Sequence, residues 1–101
     1  YLALAVMLRA GLDGIDAELD PGPPVNKNIY KMSHRERRHL RIDDLPASLS
    51  EALDEFEKDD LVRATLGDHI FQHFLEAKRE EWADYIRHVS PWEMDRYLGV
   101  Y

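Results

Sequence analysis

At 101 residues the chain has the length of one modest domain, and its 13 Lys and Arg stand against 20 Asp and Glu for a formal net charge of −7. That balance disfavours nucleic acid as a partner, because phosphate backbones are gripped chiefly by cationic side chains. The lack of cysteine removes disulfide frameworks, thiolate catalysis and Cys-ligated zinc, and it fits a cytoplasmic setting.

The chain opens at Tyr1 rather than at Met, on an apolar run, so it reads as a piece of a longer protein. Leu2 to Ile15 are dense in good helix formers, with Arg9 the only charge before Asp13. A helix this apolar all round needs cover on every side, more than the rest of the chain supplies. The run falls short of the roughly 20 residues a bilayer span needs, and it lacks a basic leader with a cleavage site, so no membrane is expected as a partner. Asp20 to Pro24, DPGPP, cannot hold helical hydrogen bonds and reads as a loop.

Three serines then precede a glutamate by three residues, the spacing that satisfies free N–H groups at a helix start: Ser33 with Glu36, Ser48 with Glu51, and Ser90 with Glu93. Asp59 and Asp60 cap a short helix running through Leu66, and Gly67 ends it. From Asp68 to His88 the pattern is strongly helical, with Phe71, Phe74, Leu75, Trp82, Tyr85, Ile86 and Val89 on one face. Only Val25 to Ile29 carries any strand character. The fold class predicted is all-α, with five or six helices in a single unit spanning residues 1 to 101. Pro91 suits the first turn of the last helix, where Met94, Tyr97, Leu98 and Tyr101 recur as an apolar stripe beside Trp92.

Two polar groupings invite a chemical reading. His69 and His73 lie four apart on the long helix, with Glu76 and Glu80 continuing the stripe, a spacing that can ligate zinc. The metalloprotease pattern needs Glu directly after the first His, and Ile70 stands there, so a solvated polar face is the plainer reading. Residues 35 to 41, RERRHLR, with Lys27 and Lys31 upstream, form a basic patch able to meet an anionic partner or to pair with the acids between Asp43 and Asp60.

Taken together, AVMLRAGLDGI at 5 to 15, PVNKNIYKMS at 24 to 33, LPASLSEAL at 45 to 53, LGDHIFQHFLEAKREEW at 66 to 82 and VSPWEMDRYLGVY at 89 to 101 resemble the C-terminal end of type I, bacterial-type glutamine synthetases. The EAKREEW helix and the SPWE…RY ending look most like the Gram-positive subgroup. The resemblance implies the helical end of a larger α+β catalytic domain. The whole enzyme is then expected to ligate ammonia to glutamate with ATP and magnesium or manganese, through γ-glutamyl phosphate. It also implies that the catalytic, nucleotide and metal-binding groups lie upstream of Tyr1, so that none falls in this chain and the chain alone is inactive. Tyr30 occupies the place of a tyrosine that enterobacterial relatives adenylylate, but Lys31, Met32 and Ser33 replace the Asp-Leu-Pro that follows it there, and Tyr30 is expected to stay unmodified. The partners implied are other subunits of a dodecameric double ring, held in part by an assembly tail of Trp92, Met94, Tyr97, Leu98 and Tyr101. Without them the chain is expected to be prone to self-association. The competing reading is an autonomous helical module that binds a partner through its aromatic face. The first helix separates the two, being exposed in a piece of a larger protein and buried in a self-contained module.

Overall fold

The computed structural model describes residues 1–100. It contains five α-helices: α1 (Leu2–Asp16), α2 (His34–His39), α3 (Leu49–Lys58), α4 (Asp60–Tyr85) and α5 (Pro91–Tyr97), with one 3-10 turn at Ile29–Lys31. No strand forms among the described residues. Where strand character was expected, the chain is irregular until Asn28, whose side-chain oxygen accepts the Tyr30 N–H at 3.1 Å and starts the 3-10 turn instead.

Local chemistry sets each boundary. Ser33, Ser48 and Ser90 each accept the N–H three residues on, at 3.2 Å. Only Ser90 and Glu93 complete a reciprocal box, the Glu93 carboxylate accepting the Ser90 N–H at 2.8 Å. Glu51 reaches one residue further back, to the Ala47 N–H, and Glu36 turns aside to Lys27. Asp59 caps α4 through the Val62 N–H. Gly67, at φ 77° and ψ 154°, breaks α4 into a short lead segment and a long one. That backbone region is open to glycine and essentially closed to other residues.

The long segment stops at Tyr85, short of the His88 expected. Arg87 and His88 donate to the carbonyls three residues back, which tightens the exit. Ser90, held extended before Pro91, cannot prolong a helix.

The core is Leu53, Leu66, Phe71 and Leu75, flanked by Val6, Leu49, Phe56 and Val62, where α1 and α3 pack on α4. Phe71 is fully buried and stacks on Phe56 with ring centroids 4.7 Å apart. Arg79 ties the same two helices together, donating to Asp54 at 2.5 Å, Glu57 at 3.1 Å and the Ser50 carbonyl at 3.4 Å. The bond to Asp54 is the main reason its guanidinium is held above its already high ordinary pKa.

Little else is covered. The accessible surface is 9222 Å², where a compact monomer of 11.8 kDa shows about 5,900 Å². The radius of gyration is 19.0 Å against about 13 Å for a compact domain of this length.

Candidate assembly surface

α1 buries no residue, although it is the most apolar helix. Val6 leans on the core, and the opposite side carries Leu4, Leu8 and Ile15, exposed at 68%, 67% and 72%. With Gly11 between them, these follow the 4-3-4 spacing of a helix-packing seam. The small residue lets a partner backbone approach closely. The test set by the sequence therefore comes out on the side of exposure.

The second open surface runs from the end of α4 into α5. Phe71 and Leu75 of the long apolar stripe are buried, whereas Tyr85, Ile86 and Val89 are 59% exposed or more. The one apolar face is therefore covered unevenly, with α3 packed against the part that holds Phe71 and Leu75. Val89, Glu93, Met94, Tyr97 and Leu98 line a shallow hollow that continues it. Trp82 pairs with Tyr85, and Trp92 meets Tyr97 edge-on at 6.0 Å with Arg96 over its indole face. Tyr101, the last member of the predicted tail stripe, lies outside the described residues.

The other singled-out residues fall elsewhere. Tyr30 is wholly exposed on the 3-10 turn. His69 and His73 are exposed with ring centroids 4.2 Å apart, and Nδ1 of His73 is engaged by the His69 carbonyl at 3.0 Å. Glu76 accepts from Gln72 instead of turning toward them. Among the described residues, no three His, Cys, Asp or Glu side chains gather as an ion site would require. In the basic patch, Arg37 pairs with Asp44 and Lys27 with Glu36. No helix is long and apolar enough to cross a membrane among the described residues.

Arg79 is the residue that sequence reading passed over. Its partners stand 22 to 29 positions away, so no periodicity within one helix announces them.

Comparison with known proteins gives one consistent result. Residues 1–97 match the family model described as glutamine synthetase, catalytic domain. A Thermus thermophilus glutamine synthetase is 54% identical over all of this chain and 23% of its own length. One from Methanosarcina mazei is 50% identical over 99% of the chain and 22% of its own. One from Staphylococcus aureus is 44% identical over the whole chain and 23% of its own. The chain thus spans less than a quarter of the length of these relatives.

Proposed function

Because the chain belongs to the glutamine synthetase catalytic-domain family, we propose that it is the C-terminal helical segment of a glutamine synthetase subunit, contributing scaffold and subunit contacts. In this reading the whole enzyme works in the cytoplasm and joins ammonia to glutamate at the expense of ATP, through γ-glutamyl phosphate, with magnesium or manganese ions at the reacting phosphates. The described residues of this chain do not fit those ions, since no carboxylate and imidazole set converges on one point. We therefore assign no step of phosphoryl transfer to them; the inactivity of the chain alone rests on the resemblance, which places the reacting groups upstream of Tyr1.

The observation that carries this reading is the uncovered first helix. Six large apolar residues of α1, Leu2, Leu4, Met7, Leu8, Leu12 and Ile15, stay exposed, while four apolar side chains are buried among the described residues. An autonomous module leaves no such surface. The missing cover is then the remainder of the catalytic domain.

The tail has a separate role. A seven-residue helix is marginal alone in water, and α5 keeps its apolar side open. We assign Trp92, Met94, Tyr97, Leu98 and Tyr101 to a contact between rings of a dodecamer, where aromatic anchors bury large area at small entropic cost. As to subgroup, only the EAKREEW helix and the SPWE…RY ending support a Gram-positive assignment, the Staphylococcus aureus relative being 44% identical and the Thermus thermophilus one 54%.

Deleting residues 91–101 from the full-length enzyme should turn the double ring into single rings or smaller species in sedimentation velocity. An unchanged profile at low protein concentration would rule out the tail's role.

A further inference from the structure

Charge in this chain is divided sharply by position. Residues 27 to 41 hold six of the 13 Lys and Arg but one of the 20 Asp and Glu, a local +5 that leaves −12 on the remaining residues. Pairing follows the same division. Outside the segment five of the seven, Lys58, Arg63, Lys78, Arg79 and Arg87, reach a carboxylate of their own chain, while Arg9 and Arg96 do not among the described residues. Inside it only Lys27 and Arg37 do, and Lys31, Arg35, Arg38 and Arg41 have no carboxylate within 4.0 Å among the described residues. An acidic chain that leaves four cations together without partners concentrates there most of its capacity to attract an anionic surface.

The backbone presents these side chains outward. Arg35 and Arg38 flank an open hollow with Ser33, Glu36 and His39 on the α2 surface, Glu36 being paired with Lys27. Arg41 ends α2 at φ 54°, with its N–H on the Arg38 carbonyl at 3.1 Å and the Ile42 N–H on the Arg37 carbonyl at 2.9 Å. Glycine is the usual residue at that left-handed cap, so a charged side chain there stands against the backbone preference.

The complementary charge is on the same chain, and no ion pair joins it to the basic segment among the described residues. Asp13 and Asp16 lie in the last turn of α1 and Glu18 follows it, all exposed, with no basic residue in that turn and no ion pair to any of the three among the described residues. Their charge adds to the negative end of the helix dipole instead of balancing it. We propose that the basic element at 27–41 docks onto the acidic surface of a second copy of the chain, with the end of α1 as its counterpart. The two surfaces differ, so the contact is heterologous, each copy presenting its basic element to the next. A polyphosphate-type anion is the other chemistry the cations fit, and the net charge of −7 sets long-range attraction against it.

The proposal goes beyond the enzymatic reading, and its test reads assembly rather than turnover. Full-length protein carrying Arg35→Glu, Arg38→Glu and Arg41→Glu is compared with the unsubstituted protein by sedimentation velocity from low to high salt, with far-UV circular dichroism to confirm folding. The unsubstituted association should weaken as salt rises, since screening shortens the reach of exposed charges. The triple variant should need at least about tenfold more protein to associate at low salt. Adding Asp13→Lys and Asp16→Lys to the triple variant should restore the contact. Milder Arg→Gln versions give an intermediate loss and serve if the reversed charges prevent folding. Association indifferent to salt and to the Arg substitutions overturns the proposal. So does a loss that the Asp→Lys changes cannot rescue while inorganic polyphosphate binds the unsubstituted protein, because the patch then serves a free anion. Glutamine formation assayed in parallel separates the outcomes: an inactive unsubstituted protein argues against the enzymatic reading alone.

Discussion

The α3–α4 pair and α1 with the tail follow the same local rules to opposite ends. Among the described residues all four buried side chains belong to α3 and α4, where Phe56 stacks on Phe71 and Arg79 spans to Asp54 and Glu57. α1 is richer in apolar residues and buries none, and α5, though fully capped, buries none either. Hydrophobic content therefore does not determine what is buried in this chain; the presence of a partner surface does. Caps and turns are completed within a few residues of sequence, whereas cover for an apolar face must come from elsewhere.

The largest effect expected follows from that contrast. Phe71→Ala removes a fully buried ring and should cost about 3–5 kcal/mol, a large share of any small domain's stability. Leu8→Ala in the isolated chain should stay within about 0.5 kcal/mol, because Leu8 is 67% exposed. In the full-length enzyme the same change should rise to about 2–5 kcal/mol, as Leu8 becomes covered. Urea unfolding followed by circular dichroism measures all three. Equal costs for Phe71→Ala and Leu8→Ala in the isolated chain would erase the distinction between the two regions.

A second contrast is between glycines. An added Cβ meets nothing within 4 Å at Gly67 or at Gly14, so neither substitution clashes. Gly67→Ala should still cost about 1–3 kcal/mol, since its φ of 77° and ψ of 154° are open to glycine and hardly to alanine. Gly14→Ala lies inside α1 and should gain about 0.5–1 kcal/mol in helix stability. Thermal melts of the two variants should move in opposite directions, and a shared direction would show that Gly67 is not held at that break.

The same local-against-distant division decides how much could be read from sequence. Ser33, Ser48, Asp59 and Ser90 were legible as helix starts because each cap is written within three residues of its partner. The break at Gly67 was legible for the same reason. Illegible was how far the stripe of the long helix is covered, since Tyr85, Ile86 and Val89 have the same periodicity as Phe71 and Leu75 and differ only in whether α3 lies opposite. Arg79 was illegible because its three acceptors sit on another helix. Of the candidate surface, the apolar character of α1 and of the tail was plain from composition, and their exposure required the fold.

The smallest effect expected tests whether the tail's cap acts by itself. Glu93 accepts the Ser90 N–H at 2.8 Å, and this bond, with a further one to the Ser90 side chain, holds its carboxyl below the ordinary value of 4.5. The folded value is the lower one, so the capped helix favours the ionised form. Its contribution is complete above the ordinary value and fades as pH falls through the lowered one. The group is solvent-exposed, so the change should be slight and confined to α5. Amide shifts of Trp92 to Met94, followed from pH 7 to pH 3, should drift toward unfolded values while those around Phe71 in α4 stay fixed. Glu93→Gln keeps an oxygen for the Ser90 N–H and removes the ionisation, so it should flatten that drift. If the Gln variant drifts as far as the parent, the cap's charge is not the cause; if the Phe71 amides move in step, the tail is not independent of the core.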